Sequence, residues 1–196
     1  AGSGAPSSWR PQLGAQTGPS LVRVATSIVA GATAFDATTG ATLPFQPQVF
    51  GLPAFAETAA GVQTVASAPE GAVIAGSFAG IGGVSRENLA SIDLDTGQIE
   101  GWTAALPPFT ALENLVTDGT SLLAHTRDSR FFKIDATTGA IVGEHRVSTG
   151  DVILAHMRLA DGELVTAVSE RYQSVKLGAI TIADWSYRQL PVTSDG

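Results

Sequence analysis

The residues of this chain best suited to bind a transition metal are its three histidines. His125, His145 and His156 lack the i, i+4 spacing with which a helix presents a zinc pair. They fall on predicted strands, where Asp128 or Glu144 joins them only if the fold brings distant strands together. We therefore interpret the histidines as individually hydrogen bonded or exposed, with a clustered metal site as the alternative.

A second stretch, Asp93-Leu94-Asp95-Thr96-Gly97, begins like a calcium-binding loop. An EF-hand loop requires glycine at its sixth position and glutamate at its twelfth. Gln98 and Ala104 occupy those positions here. Asp93 and Asp95 are the only two carboxylates in this stretch, so calcium binding in another geometry is the less favoured interpretation. We therefore predict no metal site.

Catalytic motifs are absent from the sequence. Gly80-Ile81-Gly82-Gly83 resembles a phosphate-binding loop, but such a loop requires a helix after it, and residues 89–92 have a strand pattern instead. No Gly-x-Ser-x-Gly motif occurs, and the carboxylates are too scattered to single out a glycosidase pair. The absence of cysteine excludes thiolate metal sites and cysteine nucleophiles. We therefore predict no catalytic residue, no cofactor and no enzymatic activity.

Two tryptophans, Trp102 and Trp185, have the side chains best suited to stack on a sugar ring. Large aromatic side chains more often fill a protein core, because they bury so much apolar surface. We therefore predict that Trp102 packs between structural repeats, with sugar stacking as the alternative.

The charge balance narrows the class of partner. The net charge is −7, and no run of Lys or Arg occurs, so we predict no nucleic-acid binding. No apolar stretch of about 18 residues occurs, so we also predict no membrane insertion. A protein or glycan ligand remains open at this point.

The elements that position these residues are set by a turn that recurs along the chain. It occurs in Phe35–Gly40, Ile92–Gly97 and Ile134–Gly139, each an apolar residue, Asp, two spacers, Thr and Gly. The aspartate accepts hydrogen bonds from the backbone just ahead of it, and the glycine supplies the positive φ of a hairpin. The predicted structural turn residues are Asp36, Gly40, Asp93, Gly97, Asp135 and Gly139.

The spacing of the turns predicts the fold. Gly97 and Gly139 lie 42 residues apart, which is the length of a four-stranded propeller blade. Short alternating strands and frequent turns surround them. We predict an all-β fold, a β-propeller or propeller segment with about four four-stranded blades. The repeats are assigned to residues 18–192, in units of about 18–50, 62–104, 111–148 and 151–192.

Residues 62–102 carry a resemblance to a known family. The run from Ile74 to Asp93, IAGSFAGIGGVSRENLASID, resembles the delta-60 type of bacterial β-propeller repeat, with its Gly-Gly turn followed by Arg and Leu-Ala. Trp102 follows Gly97 by 5 residues, as in that family. Glu144 stands at the matching position after Gly139 and departs from the pattern. Units one, three and four lack the Phe and Gly-Gly segment.

The resemblance implies an extracellular or cell-surface propeller and no shared reaction. We accordingly expect a non-catalytic scaffold or binding module of a secreted or cell-surface bacterial protein. The alternatives are a structural component of a larger surface or virion-type assembly and, third, a glycan-active propeller enzyme.

Residues 1–17 are predicted to be a flexible leader that also contains a closing strand. Trp9-Arg10-Pro11 resembles the Trp-x-Pro ending of a preceding blade. Residues 9–16 would then complete the last sheet, because closure removes an unpaired sheet edge. The competing expectation is a larger ring, with further blades supplied by the same or another chain.

Overall fold

A computed structural model describes much of the chain, and strands make up its regular secondary structure. The described residues are 21–24, 27–30, 33–44, 48–51, 61–69, 71–99, 101–107, 110, 112–146, 151–160, 163–170, 174–181, 183–184 and 186–190. The predicted leader, with the proposed closing strand 9–16, lies outside them. None of the described residues forms a helix of the length and hydropathy that crossing a bilayer requires.

The described strands follow one another in short antiparallel pairs. Their bounds are β1 (Leu21–Val24), β2 (Ser27–Ala30), β3 (Thr33–Asp36), β4 (Val49–Phe50), β5 (Gly61–Ala68), β6 (Gly71–Ser77), β7 (Gly80–Ile81), β8 (Val84–Ser85), β9 (Leu89–Asp93), β10 (Leu112–Thr117), β11 (Ser121–Thr126), β12 (Arg130–Asp135), β13 (Ile141–Arg146), β14 (Asp151–Ala160), β15 (Glu163–Glu170), β16 (Ser174–Thr181) and β17 (Tyr187–Gln189).

Four successive sheets form the body of the fold. Sheet 1 has the order β1-β2-β3, sheet 2 β5-β6-β9, sheet 3 β10-β11-β12-β13 and sheet 4 β14-β15-β16-β17. The first strands of successive sheets contact one another, β1 with β5, β5 with β10 and β10 with β14. Each sheet therefore lies beside the next, as in a propeller.

The core lies between the sheets, and strand β6 shows how the sequence builds it. Ala72 and Ile74 are packed with Val29 and Ala34 of sheet 1. Val73, the residue between them, belongs to a second cluster shared with sheet 3. Side chains alternate between the two faces of a strand, so a continuous apolar run is what a strand buried on both faces requires.

The outer strand is the part of the blade prediction that the structure corrects. In the described parts of sheets 1 and 2 it is present only as single bridges, Phe35 with Thr42 and Ile92 with Ile99. In sheet 1 the chain then meets Pro44, which has no N–H to donate to a ladder. In sheet 2 the carbonyl of Gly101 accepts a hydrogen bond from the Arg86 side chain at 3.3 Å.

The antiparallel order gives each sheet two distinct ends. The recurring turns at residues 36–40, 93–97 and 135–139 lie at one end, which we name the turn end. The segment between β6 and β9 and the linkers between successive sheets lie at the other, which we name the loop end.

Candidate functional site

The loop end of sheet 2 carries an additional three-stranded sheet, which we name the small sheet. Its order is β4-β7-β8, so a piece of the linker before sheet 2 pairs with a hairpin inserted between β6 and β9. Gly82 and Gly83 form the two-residue turn of that hairpin with φ of 57° and 81°. Two consecutive residues with positive φ produce the turn whose twist suits a tight hairpin.

Pairing across the small sheet places three residues in one row on its outer face. Phe50 pairs with Gly80, and Gly80 pairs with Ser85. Ile81 on the opposite face is fully buried in the core shared with sheet 1, whereas Phe50 is 45% exposed. The Phe50 ring lies directly over Gly80, where even a methyl group would collide with it. Glycine therefore allows an aromatic ring to lie flat on this surface.

A cleft of about 240 Å³ adjoins β8, between the hairpin and the linker that leads to sheet 3. One wall is residues 85–89 and the other is residues 103–107. Its lining side chains are Ser85, Arg86, Glu87, Asn88, Leu89, Thr103, Ala104, Leu106 and Pro107. The cleft is therefore part polar and part apolar, and it is built at the loop end.

Asn88 is the most constrained residue of the cleft. It has a φ of +62°, a conformation that Asn tolerates better than most residues. Its Nδ2 donates to the carbonyl of Thr110 at 2.9 Å. Its Oδ1 is buried and has no hydrogen-bond partner among the described atoms. A buried amide oxygen without a donor is uncommon in folded proteins and calls for an explanation.

Arg86 connects the two walls. Its guanidinium donates to the carbonyl of Ser85 at 2.9 Å and to that of Gly101 at 3.3 Å. Its backbone N–H donates to Ala79 at 3.1 Å. The side chain therefore connects the hairpin to the linker.

The histidines do not gather into a metal site in the described part of the chain, where no group of three possible ligands occurs. Asp128 accepts from Thr126 at 2.6 Å and from Arg130 at 2.7 Å. Glu144 lies 3.8 Å from Arg130. In the described part of the chain these two carboxylates are thus engaged by Thr126 and Arg130. The side chain of His156 lies outside them.

His125 is instead enclosed in the core of sheet 3. It is 2% exposed, and neither ring nitrogen has a hydrogen-bond partner among the described atoms. The ring centroid lies 5.0 Å from that of Phe131. Burial lowers the pKa of His125, and the nearby charges of Glu113 and Asp128 partly oppose that shift. His125 is therefore a buried imidazole in an environment that favours its neutral form.

The predicted turn residues lie at the turn end, opposite the cleft. In each turn the aspartate Oδ1 accepts hydrogen bonds from two backbone N–H groups at 2.7–3.1 Å. The backbone carbonyl of the same aspartate accepts a hydrogen bond from the glycine N–H at 2.8–2.9 Å. The hydrogen bond from the backbone three residues on is the largest cause that lowers the pKa of each carboxyl. Gly40, Gly97 and Gly139 have φ of 73°, 71° and 73°. These carboxylates shape turns.

Trp102 lies partly buried against the core cluster shared by sheets 2 and 3. Its indole ring contacts Gly139, the glycine of the turn in sheet 3. Trp185 lies outside the described residues. Among the described residues, Trp102 therefore supplies no aromatic platform in the cleft.

The site at the loop end is not predicted from the sequence, because residues 77–87 show no strand pattern. The hairpin hidden there is only two residues on each side, and its third strand comes from a proline-rich linker. A strand pattern needs about four residues to be visible. The signals available were Gly82-Gly83, which favours a tight hairpin turn, and an apolar pair at Val49-Phe50.

Comparison with known proteins shows the fold and no family. No protein-family model matches the chain, and no curated protein matches its sequence. The chain is similar to the computationally designed Ika4 protein (TM-score 0.60, 14% identity, 88% of this chain and 97% of that chain). It is also similar to the WD40 domain of Pan2 from Neurospora crassa (TM-score 0.59, 12% identity, 87% of this chain and 51% of that chain).

A further similar structure is that of the dihydro-heme d1 dehydrogenase NirN in complex with DHE (TM-score 0.50, 11% identity, 85% of this chain and 34% of that chain). The chain thus spans about half the length of the Pan2 domain and about a third of NirN. The WD40 domain and the designed protein are β-propellers, so the all-β propeller fold predicted from the sequence is confirmed. Because a WD40 domain and a dehydrogenase are both similar to the chain, the likeness assigns no activity.

Proposed function

We propose that this chain is a non-catalytic propeller of delta-60 type repeats that acts as a scaffold or binding module of a secreted or cell-surface bacterial protein. Its ligand surface is the loop end of sheet 2, formed by the small sheet and the adjoining cleft. The resemblance of residues 74–93 to that repeat supports the family, the bacterial source and the location.

The small sheet is the observation that carries the proposal. It is separate from the four sheets of the body, and its outer row exposes Phe50, while Ile81 and Val49 on its other face pack against the core. Val84 is exposed as well, at 37%. Exposed apolar side chains beside a cleft are a frequent feature of interaction surfaces, and stability alone does not call for them.

The distribution of carboxylates favours binding over catalysis. Glu87 is the one carboxylate among the described residues that line the cleft. Acid hydrolysis of a glycosidic bond generally requires two carboxyl groups on opposite sides of the bond. Asp36, Asp93 and Asp135 are committed to turns at the opposite end. The described lining of the cleft thus lacks the acid–base pair that the glycan-active alternative requires.

An array that carries bacterial surface glycans and extracellular-type peptides tests the proposal when it is read for bound protein and for cleaved ligand. We expect retention of the wild-type protein without cleavage. Phe50→Ser should reduce retention at least fivefold, because it removes the exposed ring from the small sheet. Thr137→Ala, an exposed change at the turn end, serves as the matched control and should leave retention unchanged.

Cleavage of any arrayed ligand would overturn the non-catalytic assignment. Retention that falls equally for Phe50→Ser and Thr137→Ala would remove the loop end as the ligand surface. Melting temperatures of both variants, measured in parallel, separate a binding effect from unfolding.

A further inference from the structure

We propose that the cleft beside β8 receives an extended, uncharged peptide segment, which adds to the small sheet as a fourth strand. This inference rests on the proposed binding function and names the chemical class of its ligand. It is argued from the free edge of β8, the buried amide of Asn88 and the lining of the cleft.

The edge of β8 points its backbone into the cleft. Ile81 and Val84 flank the two-residue turn and pair with each other, so the next pair, Gly80 with Ser85, directs its backbone groups outward. The groups of Gly80 accordingly face β4, where Phe50 is its partner. The N–H and carbonyl of Ser85 face the other side, which is the cleft. The described order β4-β7-β8 leaves this side of β8 without a neighbouring strand.

One of the two outward groups of Ser85 is already engaged. Its carbonyl accepts from the Arg86 guanidinium at 2.9 Å, which leaves the N–H as the group that can donate to a ligand. Asn88 supplies the complementary function in the same cleft, because its buried Oδ1 is an acceptor that no described donor satisfies. A ligand group that fits must therefore present both an acceptor and a donor. A peptide backbone presents one of each at every residue.

The lining of the cleft favours a peptide over a sugar. None of its described lining residues is aromatic, and Leu89, Ala104, Leu106 and Pro107 make much of it apolar. Sugar sites typically offer aromatic platforms and several polar side chains, whereas strand addition needs a backbone edge and a pocket for one apolar side chain. The volume of about 240 Å³ accommodates a side chain of moderate size with its adjoining backbone. Arg86 and Glu87 carry charges of opposite sign, so the described lining has no net charge and an uncharged segment is expected.

The test is an amide NMR titration with a pool of N-acetylated, C-amidated hexapeptides of random uncharged sequence. We expect shift changes at Ser85, Arg86, Asn88 and Thr103, with Thr137 at the turn end as an unaffected reference. Ser85→Pro removes the edge N–H and should weaken binding about tenfold, whereas Ser85→Ala keeps that N–H and should bind as the wild type does. Proline is tolerated on edge strands, so we expect the variant to fold.

A ligand-side control does not depend on the fold of any variant. The same pool with N-methylated peptide bonds keeps carbonyls that can accept from Ser85, but it cannot donate to Asn88, and its N-methyl groups obstruct pairing with a strand edge, so it should produce much smaller shift changes. Equal binding by the methylated pool, or equal binding by Ser85→Pro and Ser85→Ala, would overturn strand addition. Shift changes produced by N,N′-diacetylchitobiose and not by the peptide pool would overturn the peptide assignment while leaving the binding module intact. If neither probe produced shift changes, the cleft would be ruled out as a binding site.

Discussion

The indole ring of Trp102 lies against the Cα of Gly139, in contact across the boundary between sheets 2 and 3. A methyl group built on Gly139 would collide with that ring. Gly139 also has a φ of +73°, where an L side chain is strained. Gly139 is therefore required for two reasons: its turn needs a positive φ, and the ring of Trp102 leaves no room for a side chain.

This relationship predicts unequal costs for two glycine substitutions. Gly119 has a φ of +93°, and nothing lies within 4 Å of a Cβ built on it. Gly119→Ala should therefore lower the free energy of unfolding by about 1–2 kcal/mol through backbone strain alone. Gly139→Ala adds the collision with Trp102 and should lower it by roughly 1–3 kcal/mol more. Urea unfolding of both variants measures the difference, and equal losses would contradict the Trp102 contact.

Truncation of the tryptophan gives a second prediction. Trp102→Ala should lower the free energy of unfolding by about 3 kcal/mol, near the lower end for large aromatic truncations, because the side chain is only partly buried. In a protein that retains Trp102 as its single tryptophan, acrylamide should quench the native fluorescence only weakly. Strong native quenching would place the ring at the surface and favour sugar stacking.

The Trp102→Ala background also tests the pair as a unit. There Gly139→Ala should cost little more than Gly119→Ala, since the colliding ring is gone. If Gly139→Ala still lowered the free energy of unfolding more than Gly119→Ala did, the difference would come from the turn and not from the contact with Trp102.

The fold could be predicted largely from local signals. The Asp and Gly of each recurring turn act through bonds within a few residues, so spacing alone marked where strands reverse. The run Ala72-Val73-Ile74-Ala75 likewise fits a strand that is covered on both faces. The shortened outer strands in the described parts of sheets 1 and 2 could not be predicted from the spacing of the turns, because the same turn recurs before the full outer strand of sheet 3.

The candidate site was far less predictable, because its parts are distant in sequence. Phe50 and Gly80 meet only after a linker strand pairs with the inserted hairpin. The hydrogen bond from the Asn88 side chain to the Thr110 carbonyl joins residues that lie 22 positions apart in the sequence. Neither contact has a periodicity or a motif, whereas the motif that stands out in the sequence lies at the opposite end of the sheets.

The buried imidazole of His125 predicts a loss of stability on mild acidification. Burial lowers the pKa of His125 from the usual 6.5, so the unfolded chain binds its proton more readily than the folded one. Stability should be full above pH 6.5 and should fall as the pH drops through that value toward the lowered folded pKa. Urea midpoints measured between pH 8 and pH 5 report this slope.

Two variants make the pH test specific. His125→Leu should flatten the slope, because it removes the titrating group from an apolar environment that includes Phe131. His145→Gln, at a partly exposed position, is the control and should keep the slope. The turn aspartates, whose pKa values are also lowered, lose their contribution only below about pH 3.8, so they do not interfere. A slope that survives His125→Leu would contradict the assignment.

Described residues that are buried on both faces of the first and last sheets predict that this chain stays monomeric. Ala34 packs toward sheet 2, and the next residue, Phe35, is on the opposite face yet only 1% exposed. In sheet 4 the adjacent residues Ala179 and Ile180, on opposite faces, are both fully buried. An arc that awaited further blades would expose one apolar face at each end. Sedimentation velocity should therefore show a monomer at all concentrations tested. Concentration-dependent assembly of this chain would instead favour a larger ring.

The predicted closing segment is tested by deletion of residues 1–16. The deletion should lower the melting temperature, because it removes the strand that completes the last sheet. A truncated protein with unchanged melting temperature and unchanged monomeric state would contradict the closing strand.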